Sequence, residues 1–159
     1  MLGVLARRGH EIVLDPAAAD VLVVNTCSFI TPAKEESIEA ILDMARVKAG
    51  GTGQRLVVAG CLAQRYADQL RTALPEVDVF IGTGDLLRIA DAVEAPLAEG
   101  PVVYRGAHHV LPAQELATRV RTGAWWRSAR LRRRMAGTSV RTSLRESPCH
   151  RMHHASTRQ

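Results

Sequence analysis

The chain has 159 residues, 47% of them hydrophobic and 23% charged, with a formal net charge of +5 and three cysteines. That length carries a one-domain prior, no apolar run approaches the ~18 residues needed to span a bilayer, and no charged-then-apolar segment opens the chain as a secretory signal would. Three unevenly spaced cysteines do not make a disulfide framework, so a reducing, cytoplasmic setting is expected.

Residues 1–9 read as the second half of a helix with Leu2 and Leu5 on one side, ended by Gly9, then a strand over 10–14 and a turn at Asp15-Pro16. Residues 20–26 form the next strand. Its run Val21-Leu22-Val23-Val24 is apolar without alternation, the pattern of an interior parallel strand buried on both faces. Thr31 is expected to cap a helix that has Pro32 in its first turn and Glu35 and Glu36 toward the positive end of the dipole. The buried stripe of that helix is expected at Ile38, Ile41, Leu42 and Ala45, and Gly50-Gly51 stops it. A strand over 55–60, a helix over 62–74 closed by Pro75 and a strand over 77–81 follow. Gly82-Thr83-Gly84-Asp85 then reads as a tight turn whose Asp85 caps a helix over 86–93, with Pro96 ending the unit. The alternative at this turn is a phosphate cradle on its amides, although a single G-x-G lacks the third glycine of a nucleotide fingerprint. The repeated βα pattern predicts an α/β fold, a Rossmann-like parallel sheet with flanking helices.

Two strings carry candidate chemistry: Asn25-Thr26-Cys27-Ser28-Phe29-Ile30 and Gly60-Cys61-Leu62-Ala63-Gln64-Arg65-Tyr66. Each places a cysteine where an apolar strand runs out, so both thiols are expected at the carboxyl edge of one sheet, where open α/β sheets bind ligands. Converging thiolates point to a soft metal or an iron–sulfur cluster. The alternative is that each cysteine packs as a small hydrophobe, and the spacing between them is not that of a compact metal motif. Arg65 and Tyr66, beside Cys61, are candidates for stabilising a bound cluster by charge and hydrogen bonding, with surface snorkelling as the alternative. Asn25 reads as a strand-end residue that fixes the cysteine loop through its side chain.

Over residues 1 to about 96 these two strings, with Ala33-Lys34-Glu35-Glu36-Ser37-Ile38 and Gly82-Thr83-Gly84-Asp85, resemble the amino-terminal domain of the radical-SAM methylthiotransferases. Phe29-Ile30 and the Glu-Ser-Ile helix start resemble its RimO type, which methylthiolates an aspartate of a small-subunit ribosomal protein; the tRNA-modifying MiaB type is the alternative. The resemblance implies an auxiliary 4Fe-4S cluster held by three cysteines and engaged in sulfur delivery. Cys27 and Cys61 match the second and third of those ligands. The first belongs to a strand and turn ahead of the helix that opens this chain, so the ligand set here is incomplete and an unpaired sheet edge is expected. S-adenosylmethionine and a second 4Fe-4S cluster belong to the family's catalytic half, whose C-x-x-x-C-x-x-C loop this sequence does not contain. A fragment is therefore expected that is inactive by itself.

Charge divides the chain. Residues 1–104 carry nine basic and fourteen acidic side chains, whereas 105–159 carry twelve arginines, no lysine and two acids. The expected organisation is a methylthiotransferase amino-terminal domain over 1–104 and a basic, disordered tail over 105–159 that is unrelated to the family. Cys149-His150 with His153 and His154 offers donors a transition metal would accept. Arg127 to Arg134 beside Trp125-Trp126 has the charge and aromatic content of a nonspecific nucleic-acid footprint. A noncatalytic α/β binding module with a nucleic-acid-binding tail is accordingly the other functional alternative. The lysine-free, Arg-, Ser- and His-rich composition also matches a GC-rich gene read out of frame, so a frameshifted or truncated product is the expectation, to be checked by genomic sequence on either side of the reading frame.

Overall fold

The computed structural model describes residues 1–107 apart from Leu14, Thr52 and Leu97, together with the backbone of three short strands in 133–146. A helix α1 (Leu2–Arg7) is followed by strand β1 (Val21–Thr26), helix α2 (Thr31–Gly50) and strand β2 (Arg55–Gly60). Helix α3 (Cys61–Ala73), strand β3 (Val79–Ile81), helix α4 (Ile89–Glu94) and strand β4 (Val102–Tyr104) complete the alternation. Strands β5 (Arg133–Met135) and β6 (Thr138–Val140) form a separate antiparallel pair, and β7 (Thr142–Glu146) joins the main sheet. The sheet order is β4-β3-β2-β1-β7 and every pairing in it is parallel. The fold is α/β, as the sequence predicts.

Strand periodicity explains why the apolar runs are unbroken. Leu22, Val24, Leu56, Val58 and Phe80 point to one face, where they pack with Ile41 and Met44 of α2 and Leu62, Ala67 and Leu70 of α3. Val21, Val23, Val57, Ala59, Val79 and Ile81 point to the other, against Leu5 of α1 and Ile89, Ala92 and Val93 of α4. Both faces are covered, so neither can be polar. At roughly 1.5–3 kcal/mol per fully buried aliphatic side chain, the central strands β1 and β2 dominate the core.

Several local expectations are corrected. The strand over 10–14 reduces to a single bridge at Ile12. Thr31 does not cap α2: the cap position is the extended Ile30, which makes no side-chain cap bond, and Thr31 and Pro32 are the first helical residues. The face of α2 on the sheet is Ala33, Ser37, Ala40, Ile41 and Met44, while Ile38 and Leu42 are 37% and 36% exposed. Small side chains let the helix lie close to the strands, which turns the bulkier stripe outward. Asp85 does not cap α4 either. It lies inside a 3-10 turn over Thr83–Arg88, and its carboxylate accepts the Gly106 N–H. Strand β3 begins at Val79 rather than 77, and β4, which the sequence reading passes over, pairs alongside it.

The edge of β1 away from β2 is not unpaired. Strand β7 lies there in register from Val21↔Thr142 to Asn25↔Glu146. An edge strand exposes a row of N–H and C=O groups that any extended segment can satisfy. The candidate tail motifs at Trp125-Trp126, Arg127–132 and Cys149-His150 with His153 and His154 lie outside the described residues.

Buried and half-buried polar groups brace the sheet from below. Gln54 donates to the Pro16 and Ala19 carbonyls at 3.0 and 2.5 Å. The Asp78 carboxylate accepts the Leu56 N–H at 2.7 Å and the Lys48 ammonium at 2.6 Å. Arg55, 8% exposed, donates to the Ala92 and Val93 carbonyls at the end of α4, at 3.1 and 2.7 Å. Desolvation lowers its pKa from the ordinary guanidinium value, against opposing contributions from Asp78 and Tyr104.

Candidate active-site edge

Strands β1 and β2 are adjacent, parallel and in register to their last pair, Thr26↔Gly60. Cys27 and Cys61 are the next residues on each strand, so both stand at the same carboxyl edge on strands about 4.8 Å apart. Both thiols are free; Cys27 is half-buried and Cys61 exposed. The Thr26 hydroxyl donates to the Ala59 carbonyl at 2.7 Å, tying the two strand ends together just below the cysteines.

Each cysteine is held differently. At Cys27 the Ser37 hydroxyl accepts the cysteine N–H and donates to the cysteine carbonyl, both at 3.1 Å. At Cys61 the backbone turns directly from strand into helix through Gly60, whose φ of 111° and ψ of −158° are a glycine-only conformation. A Cβ on Gly60 would overlap the Thr26 carbonyl oxygen and lie 3.1 Å from the Asn25 Oδ1. This turn puts Cys61 in the first position of α3, where the positive end of the helix dipole favours negative charge.

Tyr66 interrupts α3 with a non-helical backbone (φ −127°, ψ 16°). Lys34 of α2 and Arg65 of α3 both stand 5.7 Å from the centre of its ring. Thus one aromatic ring gathers a cation from each of the two helices that begin at this edge. Phe29 and Ile30, between Cys27 and α2, are 89% and 48% exposed and give the edge an apolar lip.

Three amides of the turn at 82–85, those of Gly82, Gly84 and Asp85, are committed within the protein. Gly82 N–H donates to the Tyr104 carbonyl at 2.8 Å, Gly84 N–H to the Gln64 Oε1 at 3.2 Å, and Asp85 N–H to the Gly82 carbonyl at 3.1 Å. Gln64 also donates to the Gly106 carbonyl at 3.3 Å. These bonds use the groups a phosphate cradle would need. Ser37 and Gln64, which brace the edge alongside Thr26, escape a reading of the sequence that looks for ligands. Their only signal is position inside the two cysteine-associated strings and the Glu-Ser-Ile helix start.

A family model described as uncharacterized protein family UPF0004 matches residues 1–82, just over half the chain. The chain belongs to this family. Relatives named ribosomal protein uS12 methylthiotransferase RimO are similar to it: that of Trichlorobacter lovleyi is 46% identical over 127 residues, covering 79% of this chain and 28% of that protein. The Pelobacter propionicus protein of the same name is 58% identical over 91 residues, covering 57% and 20%, and the Geobacter sulfurreducens one 54% identical over 94 residues, covering 59% and 21%. The match in T. lovleyi takes in a larger share of the chain than residues 1–104 supply. The chain spans about a quarter of the length of the curated relatives it matches. No solved structure matches it. The resemblance to the methylthiotransferase amino-terminal domain read from the two cysteine strings therefore stands, and the UPF0004 match covers both of them.

Proposed function

We propose that this chain is the part of a ribosomal-protein uS12 methylthiotransferase that presents Cys27 and Cys61 as two thiolate ligands of an auxiliary 4Fe-4S cluster. The observation that carries the reading is the placement of both free thiols on the next residues after one register pair, at one sheet edge. Soft sulfur donors suit iron–sulfur ligation, and the exposure of Cys61 leaves room for a bulky group. The fit is partial: among the described residues no three His, Cys, Asp or Glu side chains gather as a metal site. Further ligands then come from outside the described residues.

In the intact enzyme such a cluster would bear the sulfur that is added to an aspartate of the ribosomal protein. The residues of this chain supply the frame. Gly60 permits the sharp turn that sets Cys61 beside Cys27. The Thr26 to Ala59 bond holds the strand ends at fixed separation. Lys34 and Arg65, gathered on Tyr66, offset negative charge accumulating on two thiolates. No helix among the described residues is long and apolar enough to cross a membrane, which is compatible with a cytoplasmic enzyme that meets ribosomal protein. S-adenosylmethionine cleavage belongs elsewhere in the full-length enzyme, since this sequence holds no C-x-x-x-C-x-x-C loop.

The test is anaerobic reconstitution of the chain with iron and sulfide, reading iron, acid-labile sulfide and visible absorbance per chain. Substoichiometric iron–sulfur species are expected, abolished by Cys27→Ala and by Cys61→Ala alike, with no 5′-deoxyadenosine formed from S-adenosylmethionine under reduction. Undiminished iron–sulfur absorbance in the double variant would sink the ligand assignment.

A further inference from the structure

We propose that Ser37 is the positioning residue of Cys27: its buried hydroxyl fixes the cysteine backbone against the core, so that the thiol is aimed from α2 and not from the exposed loop in which it lies. Cys27 stands beyond both ladders of its strand, which end at Thr26↔Gly60 and Asn25↔Glu146. Its N–H and carbonyl are both taken by one atom, the Ser37 Oγ, at 3.1 Å each. A serine hydroxyl can do this because it donates one proton and accepts on its lone pairs at the same time.

Ser37 is itself immobilised. It is 0% exposed and lies on the face of α2 that packs on the sheet, flanked one turn to either side by Ala33 and by Ala40 and Ile41, each at most 5% exposed. Beyond Cys27 the loop keeps only Ser28 buried before Phe29 and Ile30 project into solvent. With both backbone polar groups pinned, the remaining freedom of the sulfur is rotation about the cysteine's own side-chain bond. Cys61 is pinned independently, by Gly60 and the first turn of α3. The distance between the two sulfurs is therefore set by two helices resting on one sheet, a pre-organised arrangement of the kind that precise sites require.

The purpose assigned to this clamp rests on the ligand role proposed above, but its test contains no metal, so failure of reconstitution and failure of the clamp are separate results. In the full chain, the rates at which iodoacetamide alkylates Cys27 and Cys61 are measured by peptide mass spectrometry. Ser37→Ala should raise the Cys27-to-Cys61 rate ratio at least ~3-fold by freeing the loop to open locally, and Ser37→Thr, which keeps the hydroxyl, should restore it. Gln54→Ala, which removes buried side-chain bonds to the Pro16 and Ala19 carbonyls at the opposite end of the sheet, should leave the ratio unchanged. A ratio that stays put in Ser37→Ala, or that moves equally in Gln54→Ala, overturns the proposal. Native-state hydrogen exchange on the unaltered chain gives a second reading: the Cys27 amide should be protected like those of β1, and exchange as fast as that of Phe29 would overturn it as well.

Discussion

Replacing Gly60 by alanine should destabilise the edge at which Cys27 and Cys61 stand. Two terms add. The backbone at φ 111° and ψ −158° lies in a region that costs a residue bearing a Cβ of order 1–3 kcal/mol. The new methyl would also overlap the Thr26 carbonyl oxygen, so the ends of β1 and β2 must part and strain the Thr26 to Ala59 hydrogen bond, worth about 0.5–1.5 kcal/mol net. Against this, alanine restricts the unfolded chain and recovers about 0.4–1 kcal/mol. The expected loss is about 1–4 kcal/mol, a large share of the roughly 5–15 kcal/mol of a typical domain. Urea denaturation followed by circular dichroism measures it, with Gly9→Ala as the comparison. Gly9 also has a positive φ, 82°, but nothing lies within 4 Å of the Cβ it would gain, so that variant should pay only the backbone term of about 1–2 kcal/mol, less the same recovery of about 0.4–1 kcal/mol. Equal losses in the two variants, or a loss below ~0.5 kcal/mol at Gly60, would refute the account of the strand-to-helix turn.

Other outcomes follow from the same structure. Arg55→Met should destabilise by about 1–3 kcal/mol, because it strands the Ala92 and Val93 carbonyls in a buried setting; thermal melts at fixed pH read this, and an unchanged midpoint would mean that water replaces the guanidinium. Phe29→Ser, at a position 89% exposed, should change the monomer's stability by less than ~0.5 kcal/mol, measured by the same denaturation. In strand β7 successive residues turn their N–H groups alternately toward and away from β1, so proline at both Ser143 and Leu144 must remove a ladder bond. Stability should fall by about 1–3 kcal/mol, and faster exchange should appear at the β1 amides; no change in either would show that β7 adds nothing to the sheet.

The parts of the site that lie on strands were legible because burial on both faces writes an unbroken apolar run. Val21-Leu22-Val23-Val24 and Leu56-Val57-Val58-Ala59 end where the strands end, which locates Cys27 and Cys61. Helix faces were harder to read. On α2 two overlapping stripes satisfy a 3.6-residue period, and ranking by size selects Ile38 and Leu42 over Ala33, Ser37 and Ala40, although close packing on a sheet favours the smaller set. Asp85 has the chemistry of a cap, but its partner is Gly106, twenty-one residues on, and no local pattern reveals a bond of that span. Ser37 and Gln64 were not singled out, because the bracing role of a polar side chain shows only through the partners it meets. Strand β7, Thr-Ser-Leu-Arg-Glu, has no apolar periodicity to announce it, and it appears only through its pairing with β1.

That pairing has a consequence for the order in which the chain can fold. β1 meets β2 after one helix, a short-range event, whereas its other neighbour begins only at Thr142. At ~5–20 residues per second, the outer row of β1 amides and carbonyls stays open for several seconds while the intervening residues are made. The entropic cost of closing so long a loop grows only slowly, by about 0.6 kcal/mol per doubling of length, so the delay is one of waiting rather than of energy. For that interval the nascent chain offers other polypeptides the same bare edge that β7 later covers. Its hazard therefore lies in time: slowing translation beyond residue 104 should raise aggregation without altering the finished fold.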